Sequence, residues 1–166
     1  MIITSILDKP APEAAEALIG KLLVRRFDDG SELRARITET EAYFGEQDSA
    51  CHARFGRTGR SETLYHPAGT VYVYLCYGIH WMLNLVTGER DDPQAVLIRG
   101  VEGVSGPGRV TKYMRIDGSV NDTVLGGALA LEDDGFMPKH IEKTGRIGIG
   151  YASEEDRARL WRFVLK

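Results

Sequence analysis

Apolar residues recur along this chain in two different rhythms. In "APEAAEALIG", residues 11–20, they fall at the spacing of one helix face, with a proline near the start and Gly20 as the stop, which predicts a helix. From Lys21 the rhythm becomes alternation, and "KLLVRRF", the turn residues "DDGS" and "ELRARITETEAY" predict a β-hairpin. "GTVYVYLCY", "WMLNLVT" and "QAVLIRGV" predict three more strands at short intervals, rich in the β-branched and aromatic residues that suit a pleated surface. "GPGRVTKYMRI" predicts a helix opening after its proline and glycines. "ALALED", "RIGIGYA" and "WRFVL" predict late strands, and "SEEDRARL" a short helix that Ser153 caps. Strand neighbours joined by short loops predict an antiparallel sheet with a few helices, an α+β fold.

The two-residue period of a strand assigns faces. In "ELRARITETEA", Leu33, Ala35, Ile37, Glu39 and Glu41 point one way, so two acids continue the apolar face. An acid ending such a row marks either the rim of a cleft or an edge ion pair. Tyr72, Tyr74 and Cys76 share one face of their strand, and Tyr77 falls where the strand yields to Gly78, at a turn tip. Arg99 shares a face with Ala95 and Leu97, and an arginine in an apolar row calls for an anionic partner: Glu41, a phosphate, or a purely structural one.

At 166 residues and 43% hydrophobic content the chain reads as one globular domain, residues 1–166, with a sizeable core. Its apolar runs are short and broken by charge or glycine, so no membrane span is expected, and the N-terminus does not read as a secretory signal. Two cysteines, Cys51 and Cys76, exclude a disulfide-rich scaffold and a Cys₄ zinc site, and fit a reduced cytoplasmic location. The formal charge of −3 argues against indiscriminate coating of nucleic acid. Arg54, Arg57 and Arg60 nevertheless occupy a run free of acids, and Arg109, Lys112 and Arg115 form a second basic group. Charge alone favours ordinary solvated surface; local phosphate contact is the sharper alternative. His52, His66 and His80 are fourteen residues apart, without the close pairs that hold zinc on one element, so no metal is expected. "TGRIGIG" has its glycines in the wrong order for a dinucleotide fingerprint.

The blocks "ITETEAYFGEQDSACH", "HPAGTVYVYLCYGIHWMLNLVT", "AVLIRGVE", "SGPGRVTKYM" and "GRIGIGYASEEDRARLWRFVL" together resemble the alkyladenine (3-methylpurine) DNA glycosylase family, in the family's order and at similar spacing from about residue 20 onward. The resemblance implies a single domain with a curved antiparallel sheet and surrounding helices. It also implies a monofunctional enzyme of base excision repair that hydrolyses the N-glycosidic bond of a damaged purine, without lyase activity, cofactor or metal. Glu41 matches the residue that activates water, and Arg99 the arginine that helps hold that water and a backbone phosphate. Tyr43, His52 and Tyr74 match the residues that enclose the flipped base, and Asn84 the pocket-floor asparagine that crowds the amino group of normal guanine. Tyr77 matches a wedge in the minor groove, with Ile79 beside it, and Arg57 and Arg109 match basic residues near the DNA backbone. The implied partner is double-stranded DNA with a damaged purine, bound by a monomer in the cytoplasm, or on the nucleoid in a prokaryote. A non-catalytic nucleic-acid-binding module of the same fold is the alternative. The chain departs from the family at His80, where relatives carry an aromatic, and in "ARLWRF", which lacks a proline before the tryptophan; it also begins without a basic tail.

Chemically the set is coherent. Glycosidic hydrolysis passes through an oxocarbenium-like state that a carboxylate both stabilises and supplies with water. An ordinary glutamate, already ionised at neutral pH, is expected to suffice. Flipping costs a few kcal/mol, and stacking on aromatic rings returns about 1–3 kcal/mol per base. Glu41 and the rings of Tyr43, His52 and Tyr74 must then line one cavity open to solvent.

Overall fold

In the computed structural model, which describes residues 3–166, the first helix forms where its alanines place Ala11, Ala14, Ala15 and Leu18 on one buried stripe. This helix, α1 (Ala11–Leu18), ends at an extended Ile19 and at Gly20, whose φ of 89° suits glycine. Strands β1 (Leu22–Arg26) and β2 (Glu32–Phe44) make the expected hairpin. Strands β3 (Val71–Cys76), β4 (His80–Thr87) and β5 (Gln94–Val101) follow as an antiparallel meander. The two-residue β6 (Val104–Ser105) leads into α2 (Pro107–Met114). Strands β7 (Leu129–Glu132) and β8 (Ile141–Thr144), the short helix α3 (Glu154–Ala158) and β9 (Arg162–Leu165) complete the chain. Ser153 caps α3 through the backbone N–H of Asp156, as its sequence predicts.

All pairings among the named strands are antiparallel, and the nine strands form one curled sheet whose main path runs β3-β4-β5-β2-β1-β7. The architecture is the expected α+β one. Strand β2 is its axis: residues 32–36 pair with β1, and residues beyond Ile37 pair with β5 on one side and β9 on the other. Helices α1 and α2 cover one face of the sheet and seal the main core, to which Ile37, Leu83, Leu85, Val96 and Ile98 contribute. The opposite face is covered by the loop between β2 and β3, which buries Cys51, Ala53, Leu64 and Tyr65 against Tyr72, Val86 and Ala95.

Two expectations from periodicity fail, each for a visible reason. The register of β2 against β5 shifts between Ile37 and Thr40, a β-bulge. Before it, odd-numbered Ala35 and Ile37 face the main core; after it, Ala42 does, while Thr40 donates its hydroxyl to the Ala15 carbonyl of α1 at 2.8 Å. Glu39 and Glu41 therefore do not continue the apolar face; the bulge turns them onto the opposite side of the sheet. Opposite the bulge stands Gly100, where a Cβ would come within 3.0 Å of the Glu39 Cβ. The second failure is "RIGIGYA", which is a loop rather than a strand, the late strand being Ile141–Thr144 just before it. Gly148 holds φ at 76° there, and the backbone serves side chains instead of a ladder.

Candidate active site

The bulge delivers Glu41 and Tyr43 side by side to the sheet face away from α1. Neighbouring strands add to that face in the expected parity: Tyr72 and Tyr74 from β3, Met82 and Asn84 from β4, Leu97 and Arg99 from β5. A cleft of about 500 Å³ opens over them, walled by Tyr43, His52, Tyr74, Arg99, Ile147 and Tyr151, with Arg60 and Tyr77 at its margin. Beneath it a recess of about 40 Å³ reaches Tyr72, Asn84 and Ala95. The three expected ring residues thus share one cavity.

His52 and Tyr74 meet edge-on with ring centroids 4.5 Å apart, and Tyr72 lies 5.3 Å from Tyr74. Nδ1 of His52 sits 2.9 Å from the Tyr72 hydroxyl, which donates to the Arg60 carbonyl at 3.2 Å. With that proton committed, the hydroxyl accepts from His52, leaving Nε2 without a hydrogen; this tautomer is assigned from the network. Burial, then the nearby Arg60 and Arg54 cations, push the His52 pKa down to about 4. His52 is therefore neutral at physiological pH. Asn84 is buried and held by the carbonyls of Tyr72 and Met82, at 3.3 and 3.4 Å, so it forms a rigid floor.

Glu41 departs from expectation: its side chain is 0% exposed and does not line the cleft. It lies one layer beneath, touching residues that do. Oε1 accepts from the Tyr43 hydroxyl at 3.0 Å and lies 3.6 Å from Nη1 of Arg99, and Oε2 accepts from the Ile147 backbone N–H at 2.6 Å. Burial raises its pKa above the ordinary glutamate value, against the opposing pull of Arg99, the Ile147 amide and the Tyr43 hydroxyl. A strictly unperturbed glutamate is thus replaced by a more basic one. Arg99 is itself steered by Glu39, whose Oε1 accepts from Nε of Arg99 at 3.1 Å and from Nε of Arg162 at 2.6 Å.

Four side chains that were not among the expected site residues complete the site. Arg146 is fully buried, bidentate to Asp48 at 2.6 and 3.0 Å, and lies over the Tyr43 ring at 5.0 Å. Tyr151 anchors its hydroxyl on the Ala50 carbonyl at 2.7 Å and forms a further wall of the cleft. The only sequence signal for Arg146 was a charged residue inside an apolar, glycine-rich alternation. Asp48 gave none beyond its type, and Tyr72 gave only its place on the strand face of Tyr74.

The residues expected near DNA divide into two kinds. Tyr77 is 92% exposed at the tip of the β3–β4 hairpin, Ile79 is exposed beside it, and Arg109 is exposed on the first turn of α2. Arg57, by contrast, is held by Glu62 at 2.7 Å and Asp91 at 3.0 Å, so the acid-free run in sequence is not acid-free in space. Among the described residues, Arg54, Arg60 and Arg109 pair with no carboxylate. Both cysteines are free, and no three His, Cys, Asp or Glu side chains converge as a metal site would need among the described residues. No helix is long and apolar enough to cross a membrane among those residues.

A curled antiparallel sheet bearing an acid, an arginine and a ring-lined cleft defines a class, and comparison with known proteins names it. The family model for methylpurine-DNA glycosylase matches residues 5–105 and 102–166. A protein of Borrelia garinii subsp. bavariensis is 42% identical over 170 residues, covering 94% of this chain and 91% of its own. One of Psychrobacter cryohalolentis is 42% identical over 177 residues (88% and 83%), and one of Methanocella arvoryzae 41% over 181 (96% and 89%). Each carries the name "Putative 3-methyladenine DNA glycosylase". The chain belongs to the methylpurine-DNA glycosylase family and is a DNA glycosylase.

Proposed function

We propose that the protein excises alkylated purines from duplex DNA by hydrolysis, with Glu41 as the water-activating base. The damaged nucleotide swings out of the helix while the Tyr77 tip fills its place, and the purine stacks between Tyr43 and the His52–Tyr74 pair. Its sugar then faces the floor where Tyr43, Arg99 and Ile147 surround Glu41. Water reaches Oε1 as the Tyr43 hydroxyl gives up its bond, Glu41 takes the water proton, and the hydroxide adds to C1′ as the base departs. Arg99 balances the carboxylate and meets the phosphate beside the flipped sugar. The observation that supports this most is the contact of one buried carboxylate with two cleft-lining residues, Tyr43 and Arg99, at 3.0 and 3.6 Å. A purely structural ion pair gains nothing from a ring-walled cavity above it.

Burial serves the chemistry, since a glutamate of raised pKa is a stronger base. Its sign is testable. The ionised form is required, so kcat/KM falls on acidification, with the acid limb centred above the ordinary glutamate value. Glu41→Gln is expected to cut base release by about 100-fold or more and to abolish that limb. Binding to the lesion duplex stays within a few-fold of the parent. Single-turnover assays on duplexes with one 3-methyladenine or 7-methylguanine, scored as abasic sites, measure both; release that survives the substitution removes Glu41 from this role.

A further inference from the structure

The buried guanidinium of Arg146 lies over the Tyr43 ring, 5.0 Å from its centroid, and lines neither the cleft nor the recess beneath it. Nη1 donates to the Ala42 carbonyl at 3.0 Å and to Asp48 at 2.6 Å, and Nη2 donates to Asp48 at 3.0 Å and to the Asp156 carbonyl at 3.2 Å. Its guanidinium carbon lies over the rings of both Tyr43 and Trp161, 5.0 Å from each centroid. Nε is buried without a hydrogen-bond partner among the described residues, so the site gives up a donor where the cation meets the rings. A link between strand and loop needs the in-plane bonds only. Laying one face of the cation on the ring that walls the cleft is a separate choice.

We infer that Arg146 sets the lesion selectivity of the pocket from behind Tyr43, damping its preference for positively charged purines over neutral ones. This rests on the functional reading above. A tyrosine face attracts a cation through its ring quadrupole. With one cation already fixed on the far face, a second on the near face meets both a depleted ring and a like charge across it. A neutral base, held by dispersion and apolar contact, meets neither penalty. Asp48 offsets this in part; its bidentate grip puts the carboxylate at the edge of the guanidinium plane, whereas the ring lies over the face, nearer the positive charge. Without Arg146 the pocket would choose more sharply for 3- and 7-methylated cations. With it, neutral lesions such as hypoxanthine stay within reach.

The test compares kcat/KM for 7-methylguanine and hypoxanthine, each placed singly in the same duplex, in the parent and two variants. Arg146→Gln keeps a planar donor for Asp48 and removes the charge; the ratio of cationic to neutral lesion is expected to rise roughly three- to tenfold. Arg146→Lys keeps the charge and loses the fork; both efficiencies fall while their ratio holds within about twofold. A ratio that stays flat or falls in Arg146→Gln overturns the inference, because a merely structural role lowers both lesions together. If circular dichroism shows that Arg146→Gln does not fold, the unmodified protein decides. Its affinity for 7-methylguanosine is read by fluorescence below and above loss of the N1 proton, cation against zwitterion of one shape. A change under about threefold supports the damping, and a strong preference for the cation refutes it. A parent that leaves both duplexes intact sinks the functional reading instead, and the nucleoside titration still judges the pocket.

Discussion

Glu41 and His52 are shifted in opposite senses by the same cause. Removing water disfavours the charged form, which makes the acid a better base and keeps the imidazole neutral beside two arginines. The His52 shift also reports on stability. Its folded pKa of about 4 lies below the ordinary histidine value of 6.5, so between these pH values the unfolded chain binds a proton that the folded chain refuses. The neutral ring's contribution is complete above pH 6.5 and is lost as pH falls toward 4. Glu41 works against this trend in the lower part of the window, because its folded pKa is raised. The clean experiment is therefore a difference. On moving from pH 7 to 4.5, the parent should lose more denaturant stability than His52→Gln, whose amide bonds Tyr72 without titrating. Equal losses in the two proteins would mean that His52 is not buried as a neutral ring in solution.

At the scale of elements, the site depends on two irregularities that hold the backbone where no regular period puts it. The bulge in β2 exchanges the faces of the strand, so one strand gives Ile37 to the core and Glu41 to the layer beneath the cleft. The β3–β4 hairpin turns through Tyr77 and Gly78 at φ 52° and 70°, the positive values that a tight type I′ turn requires. A tyrosine there costs about 1–2 kcal/mol that glycine avoids, while glycine loses more conformational entropy on folding, about 0.5–1 kcal/mol. Tyr77 buries almost nothing, so these terms nearly cancel and Tyr77→Gly should unfold at close to the parent temperature. Affinity for a lesion duplex should fall by the roughly 1–3 kcal/mol of a stacked ring. A large loss of stability with binding intact would show that Tyr77 serves the turn and not the DNA.

The same irregularities explain what the sequence disclosed. Alternation placed Tyr72, Tyr74, Leu97 and Arg99 on the correct face because β3 and β5 keep their period to the cleft. It misplaced Glu41, since one extra residue inverts every side chain after it and leaves no mark on the composition. It also read Ile147, Ile149 and Tyr151 as a strand, although the intervening glycines free that segment to offer an amide to Glu41 and a buried guanidinium to Asp48. Pairings between distant segments, such as Arg57 with Asp91, follow from topology and not from local pattern.

Across the whole molecule, a net charge of −3 meets a polyanion, so where the cations stand matters more than how many there are. Arg60 stands at the cleft margin, Arg109 on the turn of α2 that follows its Pro107 wall, and neither holds a carboxylate among the described residues. Arg57 is already neutralised by Glu62 and Asp91, and that pairing holds Glu62 down to a pKa of about 2. A cation that must first leave two carboxylates releases few counterions on binding DNA. One that stands free releases nearly its full share, about 0.9 per phosphate contact on duplex. In binding measured with Glu41→Gln, which keeps the lesion in place, Arg109→Ala and Arg60→Ala should each flatten the plot of log affinity against log salt by about 1. Arg57→Ala should flatten it by less than half as much, because its removal also frees Glu62 and Asp91 to repel the backbone and lowers affinity at every salt concentration. Equal slopes for Arg57→Ala and Arg109→Ala would mean that DNA draws Arg57 from its carboxylates on binding, which moves the protein's contact surface toward the turn between β4 and β5 that carries Asp91.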